Sequence, residues 1–137
     1  MNFCQAKLMV NWLAPNKYYF WLAISWTLFI VIMCLISSAN IPKIEISGAD
    51  KYVHAIIHIL FTFLWFMSFL KFSIAFSKSI FYAFLFSVAF GLLIEILQKT
   101  LTTTRQFDIF DIISNISGAV LTYIIVLICN KKKYFSN

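Results

Sequence analysis

Four apolar runs, each close to the length of a bilayer crossing, alternate with short polar stretches along this chain: Tyr18 to Ala39, Val53 to Leu70, Ser79 to Leu97 and Ile109 to Cys129. A helix of about 20 apolar residues spans the hydrocarbon core, so each run predicts a transmembrane helix. The connections Asn40 to Tyr52, Lys71 to Lys78 and Gln98 to Asp108 are short, which makes sequential helices antiparallel neighbours. The pattern therefore predicts an all-α fold, a four-helix transmembrane bundle forming a single domain over residues 1–137.

The polar positions that interrupt the runs are not scattered. Asp50, Lys51, His54 and His58 open the second run, Glu95 and Gln98 close the third, and Asp108, Asp111 and Asn115 open the fourth. Antiparallel threading brings all of those ends to one membrane face. Polar side chains are costly in hydrocarbon, so their convergence points to a working site.

Composition agrees with the pattern. Of 137 residues, 62% are hydrophobic and 12% charged, against an apolar share of about 45–50% in soluble domains. The formal charge of +6 does not call for nucleic acid, because membrane proteins concentrate Lys and Arg in cytoplasmic loops and no base-stacking motif accompanies it. Lys7, Lys17, Lys71, Lys78, Lys131, Lys132 and Lys133 fall on one side of the threaded chain, and Lys43, Lys51, Lys99 and Arg105 on the other. The excess places both termini in the cytoplasm and the polar end outside. Although Lys7 and Lys17 precede the first run and Ser37-Ser38-Ala39 resembles a cleavage site, the run exceeds the roughly 7–15 residues of a signal core and reads as a retained span. Cys4, Cys34 and Cys129 lie far apart in the membrane profile and include no C-x-x-C, so no disulfide framework is expected.

Asp50, His54 and His58 recur at four-residue steps and form one helical stripe descending from the surface. His54 suits proton transfer near neutrality, whereas His58 is expected to hydrogen-bond a neighbouring helix. Ala83, Ser87, Gly91 and Glu95 share a face of the third helix, where small residues admit a partner backbone and direct Glu95 into the bundle; Gln98 lies close to that face, able to reach the carboxylate or a ligand. Asp108 fits an N-cap and Asp111 the acidic member of a capping box. Asn115 is too deep to cap. Ser114 and Gly118 form a further small pair, predicting that the fourth helix packs on the third and brings Asn115 near Glu95. Arg105 is the natural counter-ion for Glu95, Asp108 or Asp111, or, with Lys51 and Lys99, for an anionic headgroup. His54 and His58 have a zinc-helix spacing but lack the Glu of H-E-x-x-H and any cysteine ligands, so no metal or other cofactor is expected. Neither a Gly-rich phosphate loop nor a nucleophile elbow occurs.

Taken in order, Asp50-Lys51-x-x-His54, Gly91-x-x-x-Glu95-x-x-Gln98 and Leu101-Thr102-x-x-Arg105-x-x-Asp108-x-x-Asp111-x-x-x-Asn115-x-x-Gly118 resemble the motif of the VanZ-like family of small bacterial membrane proteins, named for a member associated with teicoplanin resistance. The resemblance covers residues 50–118. It departs at His58, where the family often has an aromatic residue, and near Thr122, where a second glycine is frequent. It implies a multi-pass protein of the bacterial cytoplasmic membrane, connected with the envelope, whose motif residues form a shared polar site; it brings no established reaction, substrate or cofactor. The expected site comprises Asp50, Lys51, His54, Glu95, Gln98, Arg105, Asp108, Asp111 and Asn115. Besides the bilayer, its expected partner is an envelope lipid headgroup, a lipid-linked glycan or a lipophilic glycopeptide. An enzyme using His54 or Glu95 as general base, a small transporter and a purely structural ion pair between Glu95 and Arg105 remain open beside that reading, as does the oligomeric state.

Overall fold

Each apolar run folds as a helix, because in hydrocarbon a backbone must satisfy its own hydrogen bonds. The computed structural model describes residues 17–35, 49–101 and 108–135, and within them the chain forms α1 (Tyr18–Leu35), α2 (Ala49–Lys71), α3 (Phe76–Leu101) and α4 (Ile109–Phe135), with no strand among the described residues. α2, α3 and α4 are long and apolar enough to cross a membrane. α1 is apolar along its described length, and the expected continuation of that span to Ala39 lies outside the described residues.

The other helices outrun their apolar cores. α2 begins ahead of the expected Val53, α3 extends past the expected run at both ends, and α4 continues beyond Cys129 to Phe135. Hydropathy marks where lipid is touched, whereas helical hydrogen bonding continues into the interface. Asp50 in the first turn of α2 and Lys71 and Lys99 in the last turns of α2 and α3 also complement the helix dipoles.

α2 is the central helix and packs against the other three. Indole N–H groups tie it to α1: Trp26 Nε1 donates to the Ile57 carbonyl and Trp65 Nε1 to Thr27 Oγ1, both at 3.2 Å. Against α3 it presents rings, with Phe61 stacked on Phe90 at 4.7 Å and Trp65 edge-on to Phe86 at 4.8 Å. The outward faces carry Trp21, Ile32, Ile56, Phe110 and Ile128, all well exposed. A water-soluble bundle with such faces would aggregate; helices of membrane length require them.

The small pair Ser114–Gly118 does not serve α3 as expected. Gly118 faces α2, where a Cβ would overlap the backbone carbonyl oxygen of Ala55. One turn on, Thr122 Oγ1 donates to the Ile59 carbonyl at 3.1 Å. Backbones meet here because lipid gives no hydrophobic drive between helices, and close packing with interhelical hydrogen bonds takes its place. α4 meets α3 at Gly91, where a Cβ would stand 3.1 Å from both Asn115 Cβ and His58 Cε1.

The α2–α3 turn closes with Ser73 N–H donating to Leu70 O at 3.2 Å and Ile74 N–H to Phe69 O at 3.3 Å, which is the Schellman pattern. Ser73 sits at the left-handed position, φ 63°, without being glycine. Gly118→Ala should lower stability by about 1–3 kcal/mol through backbone overlap, and Ser73→Gly should raise it by up to about 1 kcal/mol by relieving the left-handed strain. Denaturation midpoints of the purified protein in detergent read both signs.

Candidate functional site

The amino ends of α2 and α4 and the carboxyl end of α3 lie together, so the polar residues that open or close their apolar runs share one end of the bundle. They are arranged in tiers going inward.

The outermost tier is centred on Lys51. Its Nζ lies 2.9 Å from Asp50 Oδ2, 2.6 Å from Asp108 Oδ2 and 2.6 Å from Asp111 Oδ1. Lys51 thus joins α2 to α4 through three carboxylates. Asp108 caps α4 as predicted, with its Oδ1 accepting from the Phe110 amide at 2.8 Å and its carbonyl oxygen from the Asp111 amide at 3.1 Å. The capping-box role expected of Asp111 gives way to a tertiary one, because its carboxylate turns to Lys51 and His54. The hydrogen bond from Lys51, followed by that from the Phe110 amide, holds the Asp108 carboxyl below its ordinary value of 3.8.

The middle tier holds His54, Asp111, Glu95 and Asn115. His54 Nδ1 lies 3.1 Å from Asn115 Oδ1 and Nε2 3.7 Å from Asp111 Oδ2. Glu95 comes from α3 at the end of the predicted stripe: Ala83, Ser87, Gly91 and Glu95 are all buried, and Glu95 is 0% exposed. Ligand atoms of His54, Glu95 and Asp111 all stand within 4.8 Å of one another. Neither carboxylate oxygen of Glu95 has a hydrogen-bond partner among the described residues, and the Asp108 amide faces it without completing a bond of ordinary geometry. Asn115 Nδ2 is likewise buried and without a partner among them. Native proteins satisfy nearly all buried polar atoms, so these atoms call for a chemical reason.

The innermost tier is structural. His58 Nδ1 lies 2.8 Å from Ser87 Oγ, the interhelical hydrogen bond expected of it. Gly91 allows His58 and Asn115 to stack against α3. Outside these tiers, Gln98, nearer the carboxyl end of α3 than Glu95, does not bond Glu95; its Nε2 donates to the Cys34 carbonyl at 3.3 Å and so ties α3 to α1. Arg105 and Thr102 to Thr104 lie outside the described residues.

The residue that composition hid is Ser87, a small packing position that is also the partner of His58. Its place on the Glu95 stripe was the available signal. Among the described residues, this end of the bundle is rich in acceptors: Asp50, Asp108, Asp111 and Glu95 stand with Lys51, and three of those carboxylates share its ammonium. Such a surface suits hydroxyls, ammonium groups and cations, and it places an imidazole beside carboxylates capable of acid–base work.

Lys51→Met should leave three carboxylates mutually exposed and lower the unfolding midpoint at neutral pH. The depressed Asp108 carboxyl contributes stability that is complete above its ordinary value of 3.8 and lost as pH falls through its lower folded-state value. The gap between wild type and variant should therefore narrow on acidification below that point, as read by midpoints across a pH series.

The family model described as VanZ/LLP1 matches residues 13–130, which takes in every described helix up to the last turns of α4. No curated protein and no solved structure matches the chain. With well over half its length matched to that family, and three helices able to cross a bilayer, this chain belongs to the VanZ/LLP1 family and is a membrane protein.

Proposed function

We propose that this protein acts in the envelope of a bacterial cell, embedded in the cytoplasmic membrane with both termini inside, and that its polar end holds the headgroup of an envelope lipid, a lipid-linked glycan or a lipophilic glycopeptide at the outer surface. The observation that carries this reading is the commitment of Lys51 to three carboxylates, which leaves the site acceptor-rich. An acceptor-rich interface selects headgroups bearing hydroxyl and amino groups, as in glycans and glycopeptides, over phosphate alone. Asp111, Glu95 and Asn115 accept from the ligand, Asn115 Nδ2 supplies a donor, and His54 is oriented by Asn115. Teicoplanin-type glycopeptides are one member of that ligand class, suggested by family alone.

Protein in nanodiscs should retain lipid-linked glycans in preference to phosphatidic acid when co-purified lipids are weighed by mass spectrometry. Asn115→Leu and Asp111→Asn should each weaken retention about tenfold, or roughly 1.4 kcal/mol, while the protein still inserts. Retention of phosphatidic acid by the wild type equal to that of lipid-linked glycans, or unchanged glycan retention in both variants, would refute the reading.

A second reading has one specific observation behind it: His54 and Glu95, the candidate general bases, lie together with Asp111 in one small space. A membrane-embedded enzyme acting on the same headgroup would use them for proton transfer. Turnover of an envelope lipid that falls about 10²–10⁴-fold in His54→Ala, with binding kept, would select it.

A further inference from the structure

Two trios of potential ligand atoms share Asp111 and differ in what stands among them. Asp50, Asp108 and Asp111 surround the Lys51 ammonium, so that trio already has its cation. His54, Glu95 and Asp111 come from three different helices, and the Lys51 ammonium bonds this trio at Asp111 Oδ1, the oxygen other than the one nearest His54.

The orientation of each member points inward. Asn115 Oδ1 lies 3.1 Å from His54 Nδ1; with the ring hydrogen on Nδ1, donated to that oxygen, the lone pair of a neutral ring stands on Nε2. That nitrogen faces Asp111 Oδ2 at 3.7 Å, an acceptor opposite an acceptor. Lys51 takes the other oxygen, Oδ1, at 2.6 Å and so presents Oδ2 to the trio. Glu95 is fully buried, with both oxygens unpartnered among the described residues. Tetrahedral ligands at about 2.1 Å from a metal stand roughly 3.4 Å apart, so the 3.7 Å separation is close and the 4.8 Å limit asks only a small closure of Glu95.

We propose that His54 Nε2, Glu95 and Asp111 Oδ2 bind one divalent transition-metal cation. The class follows from the donors. One imidazole nitrogen with two carboxylates suits zinc, manganese or ferrous iron, whereas calcium and magnesium take oxygen shells and copper(I) takes thiolates. Two carboxylates offset the charge of a divalent ion. Asn115 supplies the outer hydrogen bond that orients a metal-bound histidine, and Lys51 does the same for Asp111. His54 and His58, the pair at zinc-helix spacing, are not the ligand pair, since His58 is turned to Ser87. Three protein ligands leave a coordination position for water or a ligand group. The ion would clamp α2, α3 and α4 at their common end, whether or not a headgroup also binds there.

The test uses the full chain in detergent, stripped with chelator and then given metal alone. Zinc, followed by competition with a chromophoric chelator, and manganese, followed by electron paramagnetic resonance, should each bind at one per chain, and the metal-loaded protein should melt later than the stripped one. Glu95→Gln and His54→Ala should weaken binding at least tenfold. Stripped Glu95→Gln should melt with the stripped wild type, which separates lost ligation from lost folding. Absence of saturable binding at one per chain, unchanged affinity in Glu95→Gln, or equal competition by calcium and magnesium would overturn the proposal. Binding that appears only after Arg105→Ala would assign Glu95 to an ion pair and overturn it as well. No headgroup enters these measurements, so their failure leaves the lipid-retention result standing, and the converse also holds.

Discussion

The approach of α4 to α2 governs the rest of the molecule. Gly118 lets the two backbones touch at the Ala55 carbonyl, and Thr122 bonds the carbonyl of Ile59 one turn deeper. Both contacts work in lipid because van der Waals packing and satisfied hydrogen bonds replace the hydrophobic drive that water would supply. With the helices held at that distance, Lys51 reaches Asp108 and Asp111, and His54 reaches Asn115. Those contacts lie toward the helix ends from Gly118, so widening the crossing would separate all of them together.

Going inward, the site changes from a charged network to neutral hydrogen bonds. Lys51 and its carboxylates remain partly exposed, where water screens them. His58 and Ser87 lie deep and pair with each other. Between these extremes stands Glu95, buried like the inner tier but bearing an ionisable group like the outer one. A bundle needing only cohesion would not require a carboxylate at that depth, since apolar packing of equal volume is often as stable. This gradient sets the middle tier apart from the charged network outside it and the paired hydrogen bonds within.

The two departures from the family resemblance acquire a physical meaning. His58 stands where an aromatic ring is common and still packs like one, 5.7 Å from the Phe61 ring, while adding a hydrogen bond to Ser87. Thr122 stands near the place of a frequent glycine and uses its hydroxyl to reach across to α2. In both cases a hydrogen bond between helices accompanies the contact.

Helix number, helix type and the common end of the polar groups were legible in the residues themselves, because bilayer thickness imposes a length and short loops impose antiparallel order. The packing stripe ending at Glu95 and the N-cap at Asp108 were equally legible, since both follow from local helical geometry. Which helix each small residue meets was not. Gly118 is equidistant in pattern from either neighbour, and only the packed bundle turns it to α2. The commitment of Lys51 to three carboxylates, the reach of Gln98 to α1 and the absence of a hydrogen-bond partner for the Glu95 oxygens among the described residues likewise depend on interhelical rotation and depth. Periodicity specifies a face of one helix; which atoms meet across two faces is decided by tertiary packing.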